Sequence, residues 1–154
     1  MFEPSLDITT RFEVPAEYVW QALVDPELRR RWWPELDFEP KKGGAVVGET
    51  VRPGKKKWRK TRGRVVRVKR GRRIDIEWRT KRGGFHTRVS LFVSQQKHHS
   101  KLRVVEEGFP RDEYAEILIA ECRDGWRQHF GDLAAFLEGT KNIARIRAAL
   151  AAAE

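Results

Sequence analysis

The sequence predicts an α+β domain: a curved antiparallel sheet of six strands wrapped on a long C-terminal helix, with two short helices after the first strand. Three observations predict it. Short segments of alternating apolar character recur between Gly-rich turns, which describes an antiparallel meander. One long helical stripe follows, over about 111–138, and stops at Gly139. Between the first strand and the rest lies a helical hairpin, residues 15–33 (PAEYVWQALVDPELRRRWW), too short to bury its own aromatic surface.

Residues 5–14 place Leu6, Ile8, Thr10, Phe12 and Val14 on one face, a strand with one side buried. Val14 precedes a proline and is biased toward extended backbone, while Pro15 is pre-set for a first helical turn. Trp20, Leu23 and Val24 then recur at helical spacing. Asp25-Pro26 ends that helix and starts another, with Asp25 as N-cap. Gly43-Gly44 opens a strand over Ala45–Val51, and Pro53-Gly54 marks a turn. Trp58–Lys69 is the next strand, with Gly63 marking a bulge or bend. Residues 74–79 put Ile74, Ile76 and Trp78 on one face; residues 85–93 put Thr87, Val89, Leu91 and Val93 inward. The last strand, 101–106, turns Leu102, Val104 and Glu106 to one side. The closing helix carries Tyr114, Leu118, Cys122, Trp126, Phe130, Leu133 and Leu137 as its apolar stripe. Residues 1–140 are expected to form a single domain, and 141–154 an Ala-rich tail with helical character.

The chain has 154 residues, one cysteine and a formal net charge of +10. One cysteine excludes an intrachain disulfide or a thiolate metal cluster. No apolar run reaches the length of a membrane span, and the first residues lack a basic-then-apolar signal pattern, so a cytoplasmic protein is expected. The charge is localised. Between Arg52 and Arg88 there are seventeen Lys/Arg against Asp75 and Glu77 alone, while the remainder carries fifteen basic and twenty acidic residues.

The element order, the 15–33 segment, the Gly-Gly before the second strand, EEGFP before the last helix, and Gly125-Trp126 followed by Leu133 and FLEG together resemble one superfamily. It is the SRPBCC (START-like, birch-pollen-allergen-like) superfamily with the helix-grip fold, in the branch named after the activator of the heat-shock-protein-90 ATPase. The resemblance covers about residues 5–139. It implies an elongated cavity between sheet and long helix, in which many members bind hydrophobic or aromatic small molecules. The positions that would face that cavity are Trp33, Trp58, Trp78, Val89, Leu91, Val104, Glu106, Tyr114, Leu118 and Cys122. Plain core packing is the competing reading for each aromatic among them.

Glu106 is the sharpest candidate, because an inward carboxylate needs a partner or a raised pKa. Its alternatives are a one-residue register slip, which would send it to solvent, or a salt bridge near the mouth. Of the histidines, His98 and His99 sit in a polar turn, and His129 lies near the edge of the helix stripe, where it reads as a satisfied core or boundary histidine with reach to the cavity as the alternative. No metal-ligand spacing, nucleophile–histidine arrangement, P-loop or dinucleotide fingerprint is present, so no cofactor, metal site or catalytic residue is assigned. Cys122 reads as a small core residue.

The basic region suggests a second function class. Lys55, Lys56, Lys57, Arg59, Arg72 and Arg73 lead a set of cations suited to phosphate contacts, with Trp58 able to stack on a base. A merely solvated strand face is the bland alternative. Three functions stay open: a non-enzymatic binder of a hydrophobic, aromatic or lipid-like molecule; a co-chaperone-like protein whose basic face takes an acidic protein or nucleic acid; and a polyketide cyclase- or aromatase-like enzyme.

Overall fold

The computed structural model describes residues 4–51, 58–79 and 86–153. In chain order it contains β1 (Ser5–Phe12), α1 (Ala16–Val24), α2 (Pro26–Arg29), β2 (Leu36–Phe38), β3 (Ala45–Val51), β4 (Trp58–Lys69), β5 (Arg73–Arg79), β6 (His86–Gln95), β7 (Ser100–Glu107), α3 (Ala115–Glu138) and α4 (Thr140–Ala152). The strands form one sheet in the order β1-β7-β6-β5-β4-β3-β2, every neighbouring pair antiparallel. The fold is the expected α+β helix grip, with seven strands instead of six. The additional strand is β2, whose Leu36 and Phe38 are buried either side of exposed Asp37. Three residues are too few to show a period in the sequence.

Register decides which residues the sheet offers to the helices. Leu6, Val104, Leu91 and Ile74, with Val89 and Ile76 two residues on, are almost wholly buried and share the helix-facing side. Each such side chain contributes roughly 1.5–3 kcal/mol through removal of apolar area from water. The strand irregularity lies between Val65 and Arg67, not at Gly63. Gly63 instead marks a close approach: a Cβ there would press into the Glu77 carbonyl of the neighbouring strand.

The hairpin is held by polar side chains that satisfy helix ends. Asp25 accepts from the amides of Glu27 and Leu28 at 2.9 and 3.3 Å, the N-cap its sequence context indicates. Arg29 is completely buried and donates to the carbonyls of Leu23 (2.9 Å), Val24 (3.4 Å) and Leu36 (3.2 Å) and to Asp37 (3.3 Å). Its guanidinium lies 4.3 Å over the Phe38 ring. One arginine thus closes the C-terminal end of α1 and ties β2 to it. Trp32, also buried, donates its indole N–H to the Ala22 carbonyl at 3.0 Å.

Helix α3 begins at Ala115, later than the pattern from 111 implies. The Asp112 carboxylate accepts from the Tyr114 amide at 2.8 Å, and the Asp112 carbonyl accepts from the Ala115 amide at 3.2 Å. This turn occupies the residues that would have been the first helical turn. After Gly139 the chain re-enters a helix: α4 buries Ile146 completely, and Arg147 donates to the Tyr18 hydroxyl of α1 at 2.9 Å. Among the described residues no helix is long and apolar enough to cross a membrane.

Candidate functional site

Among the described residues the helix-facing side of the sheet carries one buried carboxyl, and α3 supplies one of its partners. Alternation along β7 sends Leu102, Val104 and Glu106 inward, with Leu6 and Val89 flanking Glu106 in register. Glu106 is 6% exposed. The Trp126 indole donates to its Oε1 at 2.9 Å, and the Thr87 hydroxyl is a second hydrogen-bond partner. Burial raises its pKa above the ordinary glutamate value, and the two neutral hydrogen bonds offset this only in part. The register therefore excludes the slipped alternative, and no salt bridge reaches this carboxyl among the described residues.

Around Glu106 lies a set of half-buried apolar side chains. Trp78 pairs with Thr87 across β5 and β6, while Leu118 and Cys122 precede Trp126 by two and one helical turns. Burial, followed by the nearby Glu106 and Glu121 carboxyls, pushes the Cys122 thiol up to about 12. A thiol held there is no nucleophile. Trp33 stacks on His129 with ring centroids 3.8 Å apart and meets Trp126 edge-on at 5.6 Å. Burial lowers the pKa of His129, so its imidazole is neutral, and its buried Nδ1 has no hydrogen-bond partner among the described residues. Sequence position favours a satisfied core or boundary histidine; the structure leaves this nitrogen without a partner among the described residues. Trp33 covers the face of the imidazole, a contact that no pattern in the helix stripe encodes.

The expected cavity residues separate into three groups. Val89, Leu91 and Val104 are fully packed core, and Glu106 is buried with them. Trp33, Trp78, Leu118 and Cys122 are partly buried against that core. Tyr114 does not face inward at all: it is 60% exposed, because the Asp112 turn places it before the first turn of α3. The Trp58 side chain lies outside the described residues, as do those of Arg59 and the whole of Lys55, Lys56 and Lys57.

Two expected polyanion contacts can be placed. Arg72 is exposed in the turn between β4 and β5. Arg73 is not an available cation. It donates to Asp75 at 2.8 Å and lies 4.7 Å over the Phe92 ring, so its charge neutralises a buried carboxylate of the same face. No cluster of three or more His, Cys, Asp or Glu suited to a metal is present among the described residues.

The model of a family described as Activator of Hsp90 ATPase homolog 1-like protein matches residues 13–138. Solved structures share the fold. Protein MLL2253 from Mesorhizobium loti superposes with a TM-score of 0.76 at 21% identity, over 88% of this chain and 98% of that one. CalU16 from Micromonospora echinospora gives 0.69 at 23% identity, over 92% and 80%. DynU16, a protein in the dynemicin biosynthetic locus, gives 0.74 at 20% identity over 89% of this chain, which spans 48% of DynU16. No curated protein matches the sequence. At these identities the structural likeness speaks to fold.

Proposed function

For a chain that belongs to the Activator of Hsp90 ATPase homolog 1-like family, we propose that it binds a small apolar or aromatic molecule between the sheet and α3, without catalysis. The carrying observation is the Glu106 carboxyl, buried and held among the described residues by the neutral Trp126 indole and Thr87 hydroxyl, beside side chains that are only partly buried against the core. A pocket of aromatic and aliphatic walls with few polar groups is the usual form of a small-molecule site. In its neutral form Glu106 donates one hydrogen bond, and the His129 Nδ1, unpartnered among the described residues, accepts one in the tautomer that carries its proton on Nε2. A ligand with an apolar body and a carbonyl or hydroxyl group matches that pair. The raised thiol pKa at Cys122 leaves no covalent step there.

The test uses a neutral apolar fluorophore, N-phenyl-1-naphthylamine, titrated into the purified chain, with native mass spectrometry to seek a co-purifying molecule. Binding at one equivalent is expected, with affinity at least tenfold weaker when Cys122→Trp or Leu118→Trp fills the space beside Trp126. Unchanged binding in both variants, or none in the wild type, overturns the reading. Partner binding through 55–57 rests on residues outside those described, and no observation favours it over the interior site.

A further inference from the structure

The outer side of the same sheet carries an open groove of about 910 Å³ whose lining contains no apolar side chain larger than glycine. Five arginines line it, and their pairing is uneven. Arg64 donates to Glu77 at 3.4 Å, and Arg73 and Arg88 both donate to Asp75, at 2.8 and 2.9 Å. Arg62 and Arg79 are exposed and have no ion pair among the described residues.

Register makes those two arginines direct cross-strand partners, and Arg79 is paired in turn with exposed His86. Side chains so paired stand on one face with Cβ atoms roughly 5 Å apart, and like charges there are destabilising. Two residues along, the next row runs Arg64, Glu77, Arg88, Glu107, alternating in sign across four strands. The sheet therefore balances charge in one row and leaves the adjoining row uniformly basic. Gly108, at φ +93, packs against the His86 carbonyl so closely that a Cβ would lie 2.5 Å from it, which keeps this end of the groove clear of a side chain.

We propose that Arg62 and Arg79, with His86 beside them, bind a terminal phosphoryl group of a small molecule on this outer face. The register sets two arginines side by side on one face, and each guanidinium can offer a fork of N–H donors to a shared anion. A carboxylate has two oxygens and satisfies one fork, whereas a terminal phosphoryl group has three oxygens and a charge near −2, enough to bridge both. A phosphodiester in a nucleic-acid backbone has one charge and two free oxygens per group, and fits the pair less well. Arg62, Arg79 and His86 stand on the side of the sheet opposite Glu106, since alternate residues of β4, β5 and β6 point to opposite sides.

Calorimetric titration with inorganic pyrophosphate tests it, using citrate and an unphosphorylated oligothymidylate as competitors at equal ionic strength. Pyrophosphate is expected to bind at one equivalent, with citrate and the oligonucleotide at least tenfold weaker. The double variant Arg62→Gln/Arg79→Gln should lose at least tenfold, while Arg11→Gln, which removes an arginine paired with Glu13 elsewhere, stays within twofold. Pyrophosphate should also raise the melting temperature of the wild type and not that of the double variant. Absent binding, equal binding of citrate or oligonucleotide, or undiminished binding by a double variant that melts like the wild type overturns the proposal.

Discussion

The two sides of this sheet are made by the same strands, yet they treat a buried carboxyl in opposite ways. Glu106 on the helix-facing side and Asp75 on the outer side are 6% and 0% exposed. Glu106 meets an indole N–H and a hydroxyl, both neutral, and burial prevails, so its pKa rises. Burial pushes Asp75 up as well, but hydrogen bonds from Arg73, Arg88 and Ser90 and the Arg73 charge outweigh it, and its pKa falls. Exclusion from water is common to both. The charge of the partners decides which form of the acid the fold keeps. One side of the sheet thereby shifts its acid toward the protonated form among apolar side chains, and the other shifts its acid toward the charged form within an arginine ladder.

The largest expected effect tests whether the inner side carries the stability. Leu102 is completely buried, and Leu102→Ala should destabilise by about 2–5 kcal/mol in urea unfolding. A loss below about 1 kcal/mol would mean that the helix-facing layer is not the packed core described here. Next comes Asp75→Asn, which takes the negative partner from Arg73 and Arg88. Loss of two charge-assisted hydrogen bonds should cost roughly 2 kcal/mol near neutral pH, moderated because both arginines can reach water. Asp75 is held below its ordinary value, so the folded state binds fewer protons than the unfolded state as pH falls through the carboxylate range. The wild type should therefore lose this stability in acid and converge on Asp75→Asn. A constant gap between the two down to pH 2 contradicts the pairing.

Glu106→Gln should act with the opposite sign. The Glu106 pKa is raised, so between the ordinary value of 4.5 and its folded value the folded state binds more protons than the unfolded one, and stability falls as pH rises. The amide keeps an acceptor for the Trp126 indole and never ionises. The variant should gain on the wild type with rising pH, by less than Asp75→Asn loses, since the carboxyl already has two hydrogen bonds. A variant that loses ground above pH 5 would show that Glu106 is charged and paired in the fold.

Much of this contrast is legible in the sequence, because period-two alternation is a property of the chain. It places Leu102, Val104 and Glu106 together, and Thr87, Val89 and Leu91 with them. Asp25 as N-cap is equally local, since cap, proline and first turn are adjacent residues. What the sequence hides is the partner. That Glu106 meets Trp126, that Trp33 stacks on His129, and that Arg62 stands opposite Arg79 are facts of docking and register across 20, 96 and 17 positions. Arg29 was hidden for a second reason: in RRRWW it is one of three arginines, and only the turn geometry of α2 sends it inward. Tyr114 was misplaced because an Asp side chain bonding two residues ahead competes with the helix for the same backbone groups.

The smallest expected effect separates charges that matter for stability from charges that only decorate the outer side. Asp7 and Arg103 are diagonal neighbours across β1 and β7, with Arg103 donating to both carboxylate oxygens at 2.8 and 2.5 Å. The bidentate hydrogen bond lowers the Asp7 pKa much as the arginines lower that of Asp75. Each of the two side chains is 50% exposed, however, so water competes for the pair and salt screens it. Asp7→Asn should cost less than about 1 kcal/mol, vanish within error in 0.5 M salt, and leave the Asp75→Asn loss unaltered under the same conditions. Equal, salt-resistant losses at both positions would mean that the outer ladder acts as one network, in which the exposed pair and the buried one are no longer distinguishable.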